Sequence, residues 1–297
     1  MKNKKRFGDR KDGVLLRNVD SMHFIMPIIY PNRCDNEAFI TETMDLTNLD
    51  AFLEKKNADN PEYKYNLFQC LVTAALKTIS LRSKMNRFIA NGNMYQRNEV
   101  SAAFTVKQVF TDDGDEVLAF IHSRPEFTLK DIHDEIGRQL KRLRQKDAVD
   151  PSTDIMNIFN KIPRVISKTA VKFVCFLDKH GWVPSSFIET DPYYSSVVLS
   201  NLGSLHLQSG YHHMTNWGTT SVFITVGEAK TEPVLQADGT VENKHQITCG
   251  FIIDERVADG FYYAKTIKLY KFLIEHPELL DRPLNEKLGD DLWNQIK

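Results

Sequence analysis

The chain has 297 residues, with 38 Lys and Arg against 39 Asp and Glu for a formal net charge of −1, and 42% of its residues are hydrophobic. That is enough apolar material for the core of one large domain or two modest ones. The balanced charge excludes a global field that would draw in nucleic acid or an anionic membrane. No run of about 18 apolar residues occurs, which argues against a membrane-spanning helix.

The chain opens with Met1-Lys-Asn-Lys-Lys-Arg-Phe-Gly-Asp-Arg-Lys-Asp-Gly13, a basic stretch without the apolar core of a signal peptide. Residues 1–19 are read as a polar, solvated arm ahead of a single domain over 20–297. Cys34, Cys70, Cys175 and Cys249 show no Cys-x-x-Cys spacing, so no structural zinc site is expected. Cys70 and Cys175 sit in apolar segments and are expected to be buried thiols of a cytoplasmic protein.

Met22 to Tyr30 reads as a short buried segment, and Phe39 to Leu46 alternates as a strand does. Thr47-Asn-Leu-Asp50 is expected to start a helix through its capping side chains. Asn66 to Leu81 is apolar nearly all round, the pattern of a helix buried in the core. Two strands, Val100 to Phe110 and Val117 to Ile121, flank Asp112-Asp-Gly114, a hairpin signal.

From Leu129, apolar residues at 132, 136, 140 and 143 fall on one helical face. Lys141, Arg142, Arg144 and Lys146 gather at its end, where cations suit the helix dipole, and read as a solvated face. Further helices are expected at 152–161 and 165–180. Strands return at 195–199, 220–226 and 247–253, with a hairpin around Gln236-Ala-Asp-Gly239. A last helix after Gly260 buries Tyr263, Ile267, Tyr270 and Ile274. This mixed order, with hairpins and a β-rich C-terminal half, predicts an α+β fold rather than a doubly wound parallel sheet.

A Walker A sequence, a G-x-G-x-x-G loop and a G-x-S-x-G elbow are all absent. His212-His213 is the only adjacent histidine pair. Its neighbours Met214-Thr-Asn-Trp217 supply no metal ligands of the usual kind, so the pair reads as packing or hydrogen-bonding histidines.

Two stretches stand out together. One is Ser195-Ser-Val-Val-Leu-Ser-Asn-Leu-Gly203, a strand running into a polar turn. The other is Asp254-Glu-Arg-Val-Ala-Asp-Gly260, followed by a helix and Glu275-His-Pro-Glu-Leu-Leu280. Here the chain resembles the catalytic domain of the dihydrolipoamide acyltransferases of 2-oxo acid dehydrogenase complexes, which shares its fold with chloramphenicol acetyltransferase. The family pattern is D-H-R-x-x-D-G before a helix, with S-x-L-G closing an upstream strand. Asp254, Arg256, Asp259 and Gly260 match the first, and Ser200, Leu202 and Gly203 match the second. The resemblance spans roughly residues 20–285, with specific motifs only in the last third.

The resemblance implies a mixed β-sheet flanked by helices and a homotrimer with active sites between subunits. It also implies acyl transfer from a CoA or lipoyl thioester to a small thiol, hydroxyl or amine acceptor. Acyl-CoA would be a co-substrate, and no cofactor would be permanently bound. Ser200 would donate to the tetrahedral oxyanion, Asp259 would hold the loop through an arginine, and Gly260 would permit the tight turn into the helix. His212 or His213 would enter the acyl channel of a rearranged site.

The family's base is the histidine of H-x-x-x-D-G, and Glu255 stands in its place. An unperturbed Glu, with a pKa of about 4.3, is a weaker base than imidazole by roughly two units; burial would narrow that gap. Glu255 is therefore an atypical base, the remnant of one in a CoA-binding or assembly scaffold, or a surface charge. The chain leaves no room for a lipoyl domain before the catalytic region, which favours a stand-alone enzyme.

Overall fold

The computed structural model describes residues 6–107, 116–143 and 161–296. Its centre is a mixed sheet built from β2 (Glu37–Asp45), β5 (Ser101–Lys107), β6 (Glu116–His122), β7 (Val197–Asn201), β8 (Val222–Val226) and β10 (Val241–Asp254). Their order is β2-β10-β8-β7-β5-β6, with β9 (Lys230–Leu235) paired to the first half of β10. β7 runs parallel to both neighbours and the other pairs are antiparallel. A smaller sheet joins β1 (Gly13–Leu15), β4 (Asn93–Arg97) and β3 (Arg87–Ala90).

Alternation along the strands sorts the two faces of the main sheet. Val197 and Leu199, with Ile224 and Phe251, join the principal core beneath helices α3 (Leu67–Leu81) and α6 (Gly260–Glu275). Val198, Phe223 and Ile252 point the other way and form a small second cluster with Ala103, Phe120 and Met214. α3 begins with a capping box, in which Asn66 accepts from the Gln69 N–H while the Gln69 side chain accepts from the Asn66 N–H. Its residues 69–79 are all buried, as an apolar circumference requires.

The α+β architecture, the buried helix over 66–81 and the strand pairings of β5 with β6 and β9 with β10 agree with the sequence reading. Helices α4 (Leu129–Leu143) and α5 (Arg164–Lys179) also lie where periodicity placed them. The turn at 112–114, the helix at 152–161 and the basic residues Arg144 and Lys146 lie outside the described residues.

Four local expectations are corrected. Arg10 is no part of a solvated arm: it is buried, paired with Asp12 at 2.9 Å and Asp178 at 3.0 Å, and rests over Phe88 and Tyr95. The paired carboxylates and ring faces compensate a charge whose spacing alone looked solvent-bound. Residues 22–30 form helix α1 (Ser21–Ile29), capped by Asp20, of which only Pro27 is buried. Its apolar side chains, Met22, Phe24, Ile28 and Ile29 among them, face outward, and no element among the described residues covers them. Helix α2 (Thr47–Lys56) starts as expected, but the accepting carboxylate belongs to Asp45, before the predicted cap. Cys70 is buried, Cys175 only half so, and the second buried thiol is Cys249. Among the described residues no helix is long and apolar enough to cross a membrane.

Candidate active site

β10 delivers the motif loop. Asp254, its last residue, is fully buried and takes a two-pronged grip from Arg256, with Nε to Oδ1 at 2.8 Å and Nη2 to Oδ2 at 2.7 Å. The remaining Arg256 nitrogen donates to the carbonyls of Tyr30 and Pro31 at 2.9 and 3.1 Å. Arg33 approaches the same carboxylate at 3.8 Å and donates to the carbonyls of Thr215 and Gly218 at 2.6 and 3.0 Å. Burial pushes the Arg33 guanidinium down from its ordinary range, Asp254 opposes that shift, and Arg256 adds to it. This Arg-Asp-Arg set ties three separate segments together. Its charges are tolerable in the interior only as a group, because removing one partner strands the others without water.

Glu255 takes the opposite course. Its N–H donates to the Asn36 carbonyl at 2.9 Å while its side chain is exposed. Arg256 is turned inward to Asp254, so it does not reach the Glu255 carboxylate, which makes no hydrogen bond or ion pair among the described residues.

The loop arginine expected on Asp259 is instead on Asp254. Asp259 is exposed and caps α6, accepting from the Tyr262 N–H at 2.9 Å. Such a cap contributes about 1 kcal/mol. Gly260 has no left-handed backbone angle, and an added Cβ would meet only the Tyr263 hydroxyl at 3.2 Å. The helix therefore starts because of its cap rather than its glycine.

Ser200 and the two histidines meet in one place: a groove of about 470 Å³ that Ser200, His212 and His213 all line. Along β7, Ser200 follows Val198 onto the face away from the principal core. The rest of the lining is mostly apolar, with Phe104, Ile136, Leu140 and Phe223 among it. The Ser200 hydroxyl makes no hydrogen bond among the described residues, so its proton is free to be donated into the groove.

A strap over residues 207–214 carries the histidines across the sheet. Thr225 donates from Oγ1 to the Gly210 carbonyl, Glu228 N–H to that of Leu207 at 2.8 Å, and Met214 N–H to the Glu37 carboxylate. Gly250 and Gly227 let the strap lie against the sheet backbone, since a Cβ on Gly250 would collide with the Gly210 carbonyl and one on Gly227 would sit 2.5 Å from Ser209 N. On the strap, the His212 ring stacks on Phe223 with centroids 4.6 Å apart and planes 2° from parallel. Its Nδ1 lies 2.8 Å from the His213 carbonyl.

Glu255 does not line the groove. Ser200 pairs with Thr225, and Thr225 with Gly250. Glu255 is thus two strands over and five residues on, roughly 15–20 Å away at about 3.3 Å per residue and 4.8 Å per strand. Within one chain the two residues cannot share a substrate.

Sequence reasoning missed Gln69 as a groove residue. It is fully buried at the groove wall, its oxygen engaged by Asn66 N–H and His133, and its amide nitrogen has no partner among the described residues. His133 is clamped between Tyr63 and Tyr65, and burial lowers its pKa. The Asn-x-x-Gln spacing before an apolar run was the available signal. Arg33 left no sequence signal at all, because its partners are about 180 and 220 positions away. Among the described residues no group of three or more His, Cys, Asp or Glu is placed to hold a metal ion.

No protein-family model matches the chain, and no curated protein does. Solved structures do match. A probable dihydrolipoamide acetyltransferase from Listeria monocytogenes superposes with a TM-score of 0.57 at 13% identity, covering 89% of this chain and 95% of that one. The cubic core of the pyruvate dehydrogenase multienzyme complex gives 0.58 at 16% identity, covering 89% and 93%. A chloramphenicol acetyltransferase gives 0.50 at 11% identity, covering 89% and 98%. The chain has the fold of the chloramphenicol acetyltransferase-like acyltransferases, a group that includes the dihydrolipoamide acetyltransferase catalytic cores.

Proposed function

We propose that the protein is an acyltransferase that moves an acyl group from a CoA or lipoyl thioester to a small thiol, hydroxyl or amine acceptor in the groove along β7 and β8. The observation that carries this reading is the unpaired Ser200 hydroxyl on the groove wall. As the acceptor attacks the thioester carbonyl, negative charge builds on the carbonyl oxygen, and a donor already in place stabilises it without reorganisation. The carbon–sulfur bond then breaks and the departing thiolate takes up the acceptor's proton. The apolar wall suits the acyl chain and excludes competing water. The free cysteines fit a cytoplasmic location.

A role for Glu255 requires a neighbouring protomer, because its carboxylate lies out of reach of Ser200 in its own chain. The exposed apolar face of α1 supports association into the homotrimer that the resemblance implies. The unpartnered Glu255 carboxylate favours a second reading, a CoA-binding or assembly scaffold without turnover.

Thiol release from acyl-CoA, measured with dithiol, alcohol and amine acceptors, separates the two. Turnover that falls roughly 10²–10³-fold in Ser200→Ala supports acyl transfer. Calorimetric binding of CoA with no thiol release supports the scaffold, and absence of both sinks each reading.

A further inference from the structure

We infer that the groove carries its own general base, His212, so that proton removal and oxyanion stabilisation are supplied by one chain and Glu255 is dispensable for chemistry. This rests on the acyl-transfer reading of the groove.

The first observation is the tautomer. His212 Nδ1 lies 2.8 Å from the His213 carbonyl. A carbonyl only accepts, so Nδ1 carries the proton, and a neutral ring then has its lone pair on Nε2. No hydrogen bond or ion pair engages Nε2 among the described residues. The residue lines the groove with one nitrogen fixed as donor and the other available to take a proton.

The second is position. The His212 ring lies flat on Phe223, and Phe223 pairs across the sheet with Val198, two residues before Ser200 on the same face. Ser200 and His212 thus line the same groove, where a nucleophile about 3 Å from the base and an oxyanion about 3 Å from the serine donor can be held together.

The third is the support beneath the ring. The parallel stack on Phe223 fixes the plane of the imidazole and with it the direction of the Nε2 lone pair. The strap, pinned by Thr225 and Glu37, holds the ring in that place.

The step balances within the groove. The acceptor's X–H bond breaks as X bonds to the thioester carbon, and the proton moves to Nε2. The oxyanion accepts from Ser200. Collapse of the tetrahedral species breaks the carbon–sulfur bond, and the imidazolium returns its proton to the CoA thiolate. With water as acceptor the products are a carboxylic acid and CoA.

The test uses the full chain with acetyl-CoA and octanoyl-CoA, following thiol release, with calorimetric CoA affinity as the folding and binding control. His212→Ala is expected to lose at least about 10²-fold in kcat with CoA affinity unchanged. Added imidazole is expected to restore part of that rate. His212→Phe keeps the stack on Phe223 and is expected to be equally slow but refractory to imidazole, whereas Glu255→Gln is expected to turn over as the unmodified protein does. Nitrogen NMR of His212 is expected to show the Nδ1–H tautomer.

Unchanged turnover in His212→Ala, or an Nε2–H tautomer, overturns the inference. So does loss confined to Glu255→Gln, and in each of these cases acyl transfer survives. Unmodified protein that binds CoA without releasing thiol sinks the acyl-transfer reading, and the inference with it.

Discussion

The motif loop at 254–260 and the strap at 207–214 come together where Glu37 pairs with Asp254 and accepts from Met214, yet they are built in opposite ways. The loop is held from within: Asp254 and Arg256 are buried and bonded, and Glu255, the residue that departs from the family pattern, is turned to solvent. The strap is largely exposed, laid over glycines, and turns two imidazoles into a groove. A residue that matches a motif can thus be architecture, while chemistry-bearing side chains arrive on a segment with no motif. Burial of the frame says that the loop is needed for folding. Convergence of unpaired polar atoms on a groove is the better sign of chemistry.

The contrast predicts its largest effect at Asp254. Replacing Asp254 with Asn keeps the shape but removes the charge that balances Arg256 and Arg33, both fully enclosed. A loss of about 3–5 kcal/mol is expected, read as a lower urea midpoint with an unchanged slope. A variant as stable as the parent would show that the loop is not held from within.

A smaller effect is expected at the strap. Gly250→Ala places a methyl group against the Gly210 carbonyl and Thr225 Oγ1, so strap and sheet must part. The expected cost is about 1–3 kcal/mol, accompanied by faster hydrogen exchange over 207–213 than in the parent. Unchanged protection there would mean that the strap does not depend on close backbone approach.

What could be read in advance follows the same division. The core helix over 66–81 and the strand pair β9–β10 announced themselves through periodicity and a turn signal, because both depend on neighbours a few residues away. Ser200 was legible as a motif residue, and its place on the outward face followed once β7 was known. The packing of Arg10 against Asp178 was not, since local spacing carries no trace of a partner 168 positions on. The resemblance had Ser200 at the oxyanion and His212 or His213 entering the acyl channel, but the strap that brings them to one groove left no sequence signal. The outward face of α1 was misread for a related reason: an apolar run says that something should cover it, not that the same chain does.

The smallest effect separates the motif's letters from its physics. Gly260 is the motif residue that looks most like a backbone requirement, yet it is the first residue of α6 and lacks a left-handed angle. An alanine Cβ would approach only the tip of the Tyr263 ring, which can swing by a few tenths of an ångström. Against that minor contact stands the entropy that glycine adds to the unfolded chain. Gly260→Ala should therefore be neutral or should stabilise by about 0.4–1 kcal/mol, with thiol release unaltered, because neither Ser200 nor His212 touches this turn. A destabilised variant would mean that the helix start depends on glycine after all. A variant that folds normally but loses turnover would place the 254–260 loop back in the chemistry, and the strap would then be the architectural partner.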